Sequence, residues 1–405
     1  MILLHTSDWH LGRMLYSKKE RYDEHRQFIE WLLDAIRENK VDVLVIAGDI
    51  FDTASPSNTS LKMYYNFLVD VRNSGCSCVI VTGGNHDSAG VLEAPKEILS
   101  AIDVKVVGRA CENINDEVFV INKQGAPIAI ICAVPFLRER DISRYTEGET
   151  YASRSARIAE CVSKHYADVA EIAERKRVEL NADIPIIATG HLSIAGGRRI
   201  ENDGVRETYI GTIEFLSADI FSPIFDYVAL GHFHIASSIA DNIRYCGSPI
   251  AMGFGEVLQS KSVEIIDFEA KTICQLPIPV FQKMESICGN SSDISSRIAE
   301  LRANGESVWV EIVYDGNELL PDLTKWINEQ VRDTNIDVLK SSTRRDIDSL
   351  ADANIEKKLD ELNETEVFDI LLRKKDVPSE QHEELKEMYM EIIYSINNEN
   401  IDENE

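Results

Sequence analysis

Short apolar runs alternate with helical patterns through residues 1–110. Segments 2–6, 41–47 and 76–82 are rich in β-branched residues and continuously apolar, which is typical of strands buried on both faces. Segments 24–39 and 60–73 carry apolar residues at helical spacing. This alternation predicts a largely parallel core sheet. Further strands are predicted at 117–121, 128–134, 184–189, 227–230, 243–246 and 262–268, with a long polar helix at 153–179.

The pair Pro277 and Pro279 marks a predicted domain boundary. Beyond it, a helix (294–303), a strand (307–314), a helix (320–333) and a strand (336–340) form a small α+β unit. From residue 346 the chain is helical and charged, and the last residues are rich in Asn and Glu. We therefore predict units at 1–278, 279–345 and 346–397, followed by a disordered tail at 398–405.

The composition suits a globular protein with an ample core, because 44% of the residues are hydrophobic and 27% are charged. No apolar run approaches the roughly 20 residues that a membrane span needs. The start of the chain lacks the pattern of a secretory signal. The eight cysteines are scattered and form no zinc-type double pair. We expect a cytoplasmic protein with reduced thiols and no membrane association.

The formal net charge of −27 argues at first against a nucleic-acid substrate, since phosphate backbones attract basic side chains. The acidity is concentrated near the end of the chain, where residues 352–405 hold 17 acidic against 6 basic residues, a net of −11. Divalent metal ions would add positive charge where a phosphate binds. The objection therefore weakens.

Five short polar motifs each follow a predicted strand. Alone, each is weak, because a histidine after a strand is more often a hydrogen-bonded structural residue. Together they are specific, since ligands in open α/β sheets lie after the carboxyl ends of strands. Five of the nine histidines belong to the set. The motifs are Asp8-Trp9-His10, Gly48-Asp49, Gly84-Asn85-His86-Asp87, Gly190-His191 and Gly231-His232-Phe233-His234.

The motifs supply oxygen and imidazole ligands without a thiolate, which suits Mn, Fe, Mg or Zn in a catalytic role. Seven ligands are too many for one ion and fit a pair that shares a bridging carboxylate. Such a pair clamps a phosphate and activates water for its hydrolysis. The seven candidate metal ligands are Asp8, His10, Asp49, Asn85, His191, His232 and His234.

The order of these motifs resembles that of the calcineurin-like metallophosphoesterases. Segments such as HTSDWHLG, AGDIFDTASP, GGNHDS and ALGHFH are more closely similar to the SbcD family, the nuclease subunits of bacterial SbcCD complexes. The resemblance extends over essentially the whole chain. It implies an α/β fold with a layered β-sandwich flanked by helices, a small α+β capping domain that binds DNA, and a C-terminal helical segment that binds a coiled-coil ATPase of the SbcC type.

The resemblance also implies roles for individual residues. Asp49 would bridge two divalent ions, Mn²⁺ ahead of Mg²⁺. His86 would be a catalytic residue that faces the scissile phosphate, and Asp87 would orient it through a carboxylate–imidazole hydrogen bond. Asp52 receives no role, because some relatives have His at its position. Asp8, His10 and His234 would complete one metal site, and Asn85, His191 and His232 the other.

The activity implied by the family is 3′→5′ exonuclease action on double-stranded DNA and endonuclease action at hairpins and blocked ends, in repair, replication and recombination. No G-x-x-x-x-G-K-[ST] phosphate loop is present, so ATP dependence would come from the partner. A homodimer within a heterotetramer is expected. The alternatives are a small-molecule phosphodiesterase on the same core and a non-enzymatic scaffold for the ATPase.

Other residues allow two interpretations. His5 is expected to be structural, and Trp9 and Phe233 to wall the site. The helical segment 346–397 either binds the partner or packs within the chain. We expect His25, His165 and His382 to lie at the surface. The basic residues that either contact phosphates or form a solvated surface are Arg138, Arg140, Arg144, Arg154, Arg157, Arg198 and Arg199.

Overall fold

The computed structural model describes residues 1–143, 151–197, 216–316 and 322–344, and a few positions between 368 and 390. These residues belong to two compact units, the first extending to Phe281 and the second beginning at Gln282. The division falls close to Pro277 and Pro279, at which the sequence predicted a boundary.

The described part of the first unit contains two six-stranded sheets, one hairpin and six α-helices. The strands are β1 (Ile2–Thr6), β2 (Met14–Leu15), β3 (Lys19–Glu20), β4 (Val43–Ala47), β5 (Cys78–Thr82), β6 (Val104–Val107), β7 (Val118–Lys123), β8 (Ala126–Cys132), β9 (Ile186–His191), β10 (Tyr227–Gly231), β11 (Ser237–Ala240), β12 (Ile243–Tyr245), β13 (Ser262–Asp267) and β14 (Thr272–Pro277). The helices are α1 (Tyr22–Glu38), α2 (Asn58–Arg72), α3 (Ala89–Glu93), α4 (Lys96–Ser100), α5 (Glu139–Ile142) and α6 (Tyr151–Leu180).

The first sheet is antiparallel at one edge and parallel through the rest, whereas the second has a parallel centre and two antiparallel edges. The first has the order β14-β13-β1-β4-β5-β6, and the second has the order β11-β12-β10-β9-β8-β7. Strands β1, β4, β5 and β6 are parallel, as are β8, β9, β10 and β12. The prediction of a largely parallel sheet from residues 1–110 is confirmed, because β1, β4, β5 and β6 are parallel neighbours in the first sheet, while β8, β9, β10 and β12 form the parallel part of a second sheet.

The two sheets pack face to face. Leu3, Val45 and Ile80 of the first sheet share a core with Ile131 and Ile187 of the second. Alternate residues of the first sheet face α1 and α2, and those of the second face α6. Strands covered on both faces need continuous apolar runs, which is the pattern that the sequence shows. The architecture is the predicted layered β-sandwich flanked by helices.

Of the histidines predicted at the surface, His25 is buried and His165 is largely enclosed. His5 is structural, as expected, and its Nδ1 lies 3.0 Å from the hydroxyl of Tyr227 across the sandwich. His25 was predicted to be exposed, but it is fully buried, with Nε2 2.9 Å from the carbonyl oxygen of Trp9. His165 pairs with the buried Glu117 at 2.7 Å. Both surface predictions were wrong, because each ring has a polar partner inside.

The described part of the second unit is a three-stranded parallel sheet with two helices. Helix α7 begins with a capping box between Asn290 and Asp293, and Gly305 ends it in the left-handed conformation. The first strand was missed by the sequence-based prediction, since its alternation is weak. The elements are β15 (Lys283–Gly289), α7 (Ser291–Asn304), β16 (Val308–Tyr314), α8 (Leu323–Gln330) and β17 (Ile336–Thr343).

Most of the predicted helical segment 346–397, and all of 398–405, lie outside the described residues. Within it, the rings of Phe368 and Tyr389 stack with centroids 4.0 Å apart, and Leu372 is buried. These contacts support packing of at least part of the segment within the chain. Among the helices that can be described, none combines the length and apolarity of a membrane span.

Candidate metal centre

The carboxyl ends of β1, β4 and β5 in one sheet, and of β9 and β10 in the other, deliver the five motifs to one place. The turns after β1 and β4 are joined by two backbone hydrogen bonds, from Asp8 N–H to Gly48 O and from His10 N–H to Asp49 O, each 3.0 Å long. Potential ligand atoms lie within 4.8 Å of one another in three overlapping triads. The triads are Asp8, His10 and His234; His10, Asp49 and His86; and Asp8, Asp49 and His191.

Four of the predicted ligands have backbone conformations that L-residues seldom adopt. The φ angles are +53° at Asp8, +47° at His10, +50° at Asp49 and +100° at His232. Such conformations cost about 1–3 kcal/mol each and persist where the surroundings over-determine them. The strained backbone of these turns therefore lowers the stability of the loops, but it places the four side chains at the candidate metal centre.

Glycines beside the ligands allow a close approach of the two sheets at Gly231 and of neighbouring turns of one sheet at Gly84. A β-carbon at Gly231 would lie 1.9 Å from the carbonyl oxygen of Ala47, in the other sheet. A β-carbon at Gly84 would lie 2.1 Å from Oδ1 of Asp49. Both positions exclude a side chain, because the neighbouring atoms belong to the backbone or to a candidate ligand.

One half of the centre is built around His10. Its Nε2 lies 3.3 Å from Nε2 of His234 and 3.6 Å from Oδ2 of Asp49. Burial lowers the pKa of His10, which favours the neutral ring that a metal ion requires. Two imidazole nitrogens and carboxylate oxygens that converge in this way fit a divalent cation.

The other half is built around Asn85. Its Oδ1 lies 3.0 Å from Nε2 of His191 and 3.1 Å from Nδ1 of His232. His191 Nε2 is also 3.2 Å from Oδ2 of Asp49, so the same Asp49 oxygen lies close to both halves. The backbone N–H of His232 donates to Oδ1 of Asp8 over 2.9 Å. All seven predicted ligands are therefore brought together.

Polar contacts on the far side of the rings, a hydrogen bond for His191 and a charge contact for His10, favour one orientation of each ring. Nδ1 of His191 donates to the carbonyl oxygen of Ala47 over 3.0 Å, and Nδ1 of His10 lies 3.3 Å from Oδ1 of Asp52. In each ring this arrangement leaves the Nε2 lone pair directed at the centre. Burial raises the pKa of Asp52, but His10 and Arg13 outweigh it and hold that pKa below its ordinary value.

Asp52 is a site residue to which the sequence alone gave no role. Besides its carboxylate contact with His10, its carbonyl oxygen accepts a hydrogen bond from Nδ1 of His86 over 3.0 Å. Its spacing of three residues after Asp49 is a signal that the sequence did contain. What the spacing could not show is that two different atoms of Asp52 serve two different histidines.

His86 lies at the edge of the cage. Its ring is 4.9 Å from that of His10, and its backbone N–H donates to Oδ1 of Asp49 over 2.9 Å. The hydrogen bond to the Asp52 carbonyl requires that Nδ1 of His86 carries a proton. This side chain is therefore held beside the candidate ligands with a defined tautomer.

The predicted hydrogen bond between Asp87 and His86 was wrong. The Asp87 carboxylate instead accepts three backbone N–H groups, from Ile50 at 3.1 Å, Phe51 at 2.9 Å and Gly84 at 2.9 Å. Asp87 thus ties the turn after β4 to the turn after β5. Its effect on His86 is through the backbone and not through a carboxylate–imidazole pair.

The two aromatic residues between ligands differ in position. Trp9 was expected to wall the site, but it lies fully buried in the core, with its ring against Phe28 and Phe67. Phe233 packs against His232, with ring centroids 5.4 Å apart, and so borders the site. Trp9 therefore anchors the turn after β1 in the core and does not border the site.

The basic cluster is partly neutralised within the chain. Arg154 and Arg157 both pair with Glu139, at 2.7 Å and 2.8 Å. Arg138 donates to the carbonyl oxygen of Asp87 over 2.7 Å, so it supports the His86 turn. These contacts favour the structural interpretation for Arg154 and Arg157. Arg144, Arg198 and Arg199 lie outside the described residues.

The chain matches two family descriptions. Residues 1–236 match "Calcineurin-like phosphoesterase", and residues 280–376 match "Type 5 capsule protein repressor C-terminal domain", or SbcD_C. The first match covers every predicted ligand and assigns divalent-metal chemistry to this unit. The second covers the α+β unit and part of the helical segment.

Three relatives are similar along much of the chain. The SbcD subunit of the SbcCD nuclease of Escherichia coli K12 is 33% identical over 408 residues, covering 98% of both chains, and that of Escherichia coli O157:H7 gives the same values. The protein of the same name from Rhodobacter capsulatus is 32% identical over 299 residues, covering 69% of this chain and 70% of the relative.

Comparison with solved structures adds nothing to this assignment. A β-glucosidase from Exiguobacterium marinum aligns over 84% of this chain and 88% of its own, but with 10% identity and a TM-score of 0.24. A score that low carries no argument about the fold. The relatives and the family matches, in contrast, agree with the geometry of the site: the chain is a metal-dependent hydrolase and belongs to the SbcD family of nuclease subunits within the calcineurin-like phosphoesterases.

Proposed function

We propose that this nuclease cuts DNA at a centre of two Mn²⁺ ions held by the seven predicted ligands. The observation that carries the proposal is that side chains from both sheets converge around one Asp49 oxygen, 3.6 Å from His10 and 3.2 Å from His191. Asp49 would bridge the ions. Asp8, His10 and His234 would complete one site, and Asn85, His191 and His232 the other.

The residues of the chain would divide the chemistry among themselves. A bound pair of divalent ions would clamp the phosphate, activate the attacking water and neutralise charge on the leaving oxygen. As the bond from the water oxygen to phosphorus forms, the bond from phosphorus to the 3′ oxygen breaks. His86, held by Asp52 and Asp49, would donate a proton to that 3′ oxygen.

Mn²⁺ is proposed ahead of Mg²⁺ because four of the seven ligands are imidazoles. Mg²⁺ prefers oxygen ligands and water, whereas Mn²⁺ accepts nitrogen more readily. None of the seven proposed ligands is a cysteine thiolate, which is consistent with a catalytic rather than a structural metal site.

The substrates and partners are proposed from the relatives. We infer 3′→5′ exonuclease action on duplex ends, endonuclease action at hairpins and blocked ends, and assembly as a homodimer with an SbcC-type coiled-coil ATPase in the cytoplasm. Residues 279–345 would be the capping domain that contacts DNA, and the helical segment 346–397 would bind the ATPase. The two Escherichia coli relatives, which are named as subunits of a nuclease, align over 98% of this chain, and this supports the assignment.

A substrate comparison tests the proposal against the rival small-molecule phosphodiesterase. The full chain, with its ATPase partner, ATP and Mn²⁺, is given a hairpin DNA or a mononucleotide diester. We expect efficient cleavage of the hairpin and slow turnover of the diester. Turnover of the diester with intact hairpin DNA would contradict the nuclease function and favour the rival.

A further inference from the structure

A buried ion pair lies beside His234 and belongs to none of the five motifs. Glu256 is 1% exposed, and the side chain of its partner Lys261 is 10% exposed. Burying two charges costs several kcal/mol per ion, unless geometry and further hydrogen bonds compensate. The contacts of this pair with His234 indicate what it does.

Lys261 holds the backbone of His234. Its ammonium group donates to the carbonyl oxygen of His234 over 2.8 Å and to Oγ of Ser248 over 2.9 Å, and it also contacts Glu256. All three partners converge on one cation, which satisfies the three donors of the ammonium group. The carbonyl of a candidate metal ligand is thereby fixed by the residue that precedes β13.

Glu256 uses its two carboxylate oxygens differently. Oε2 accepts hydrogen bonds from Lys261 and, over 3.0 Å, from the backbone N–H of Met252. Oε1 lies 3.8 Å from Nδ1 of His234 and accepts no hydrogen bond from the described part of the chain. A buried carboxylate oxygen without a donor is costly, so its position beside an imidazole nitrogen requires an explanation.

The ring of His234 lies between the candidate metal centre and the buried ion pair of Glu256 and Lys261. Its Nε2 faces Nε2 of His10, at 3.3 Å, in the candidate metal centre, and its Nδ1 faces Glu256. His10 has the same arrangement, because its Nδ1 faces Asp52, which is paired with Arg13. Both imidazoles of the facing pair therefore have a carboxylate behind them, and each carboxylate is held by a cation.

We infer that Glu256 is a positioning residue for the metal centre: the charge of its Oε1, 3.8 Å from Nδ1 of His234, favours the tautomer with Nδ1 protonated, so that Nε2 is presented to the ion, and Lys261 holds Glu256 in place. A carboxylate in this position fixes the tautomer of a histidine ligand and raises its basicity. The inference rests on the proposed two-metal function. A purely structural ion pair would not explain the unsatisfied oxygen beside His234.

The substitution Glu256→Gln tests this role with little change in volume. Lys261 requires an acceptor, so it would draw the amide oxygen and place the amide nitrogen against Nδ1 of His234. Two donors would then face each other, and the tautomer needed for metal binding would be disfavoured. We expect the affinity of the site that contains His234 to fall at least tenfold.

The measurement is calorimetric titration of the metal-free full chain with Mn²⁺. The native chain should bind two ions, and Glu256→Gln should weaken one binding event while leaving the other unchanged. Glu264→Gln is the matched control, because Glu264 is equally buried but contacts Gln275 and Arg244 instead of a predicted ligand. It should bind both ions as the native chain does. Unaltered binding by Glu256→Gln, or an equal loss at both sites, would overturn the inference.

A second variant guards against a folding defect. Glu256→Gln combined with Lys261→Met leaves no unpaired buried charge, and it should show the same loss at one site. Normal binding of both ions by this folded double variant would also overturn the role of Glu256. If the native chain bound no pair of ions, the proposed metal centre would fail instead, so the two failures are distinguishable.

Discussion

At the scale of single residues, Asp52 connects the two kinds of histidine in the site. Its carboxylate faces His10, a predicted metal ligand, and its carbonyl holds His86, the predicted proton donor. Asp52→Asn keeps the carbonyl but removes the charge behind His10. We predict about tenfold weaker Mn²⁺ binding, measured by titration of the metal-free chain.

The retained contact with His86 provides an internal control for that experiment. At saturating Mn²⁺, Asp52→Asn should recover most of its cleavage rate, since the His86 ring remains oriented by the carbonyl. Native metal affinity with a persistent loss of rate would show that the Asp52 carboxylate acts on His86 or the substrate and not on His10.

A variant at His86 should separate the effect on metal binding from the effect on the rate of DNA cleavage. We predict that His86→Ala lowers the rate of DNA cleavage by about 10²–10⁴-fold, the usual contribution of a general acid, while the chain still binds two Mn²⁺ ions. The rate is measured on a hairpin DNA, and the metal content by elemental analysis of the same sample. Cleavage at the native rate would remove His86 from the mechanism.

The sequence predicted which side chains lie together at the strand ends, but not the contacts that orient them. The ligands of the cage, such as Asp49 and His191, follow apolar strands at recognisable spacing. The roles of Asp52, Asp87 and Glu256 depend on which oxygen lies against which N–H, and that depends on how separate turns pack. No spacing rule contains this information, so a plausible pair such as Asp87 with His86 was wrongly predicted.

At the scale of elements, the close approach of the two sheets depends on Gly231 at the end of β10. Gly231→Ala would place a methyl group against the carbonyl oxygen of Ala47, where the gap is 1.9 Å. We predict that this variant loses tight binding of both Mn²⁺ ions and is destabilised by roughly 1–3 kcal/mol. The measurements are Mn²⁺ titration and urea unfolding.

Gly90→Ala is the control for Gly231→Ala. Gly90 lies in α3, and the nearest atom to its added methyl group would be Oγ of Ser88, at 3.8 Å. It should retain native metal binding, and its stability should be unchanged or slightly higher. Native binding by Gly231→Ala would contradict the close approach of the sheets.

The elements that the sequence predicted are those with strong apolar patterns. Strands β1, β4 and β5 were found because they are buried on both faces. Strands β11 and β14 were missed because they are edge strands with mixed exposure, and their short alternations are not distinguished from loops. The division of the strands into two sheets depends on pairing between distant segments, which local patterns do not encode.

At the scale of the whole molecule, buried histidines make stability dependent on pH. Burial lowers the pKa of His5 and of His25 from 6.5 to about 3. In the unfolded chain these two rings therefore become protonated near pH 6.5, whereas in the folded chain they stay neutral down to about pH 3. The contribution of these rings to stability is complete above pH 6.5 and is lost as the pH falls from 6.5 towards 3.

We predict that, below pH 6, the free energy of unfolding falls by roughly 1.4 kcal/mol per pH unit for each of the two rings. The measurement is the free energy of unfolding of the metal-free chain in urea at several pH values between 7.5 and 5. His25→Gln should be less stable at neutral pH, but its stability should depend less steeply on pH. An unchanged slope would contradict the burial of a neutral His25.

The proposed function depends on two metal ions acting together on a DNA phosphodiester. The most direct measurement is a titration of the metal-free chain with Mn²⁺, in assembly with the proposed SbcC-type ATPase and ATP. Hairpin DNA cleavage and bound metal are followed in the same sample. We predict that cleavage appears as the second ion binds and reaches its maximum at two ions per chain. Full cleavage at one ion per chain, or none at two, would contradict the two-metal mechanism.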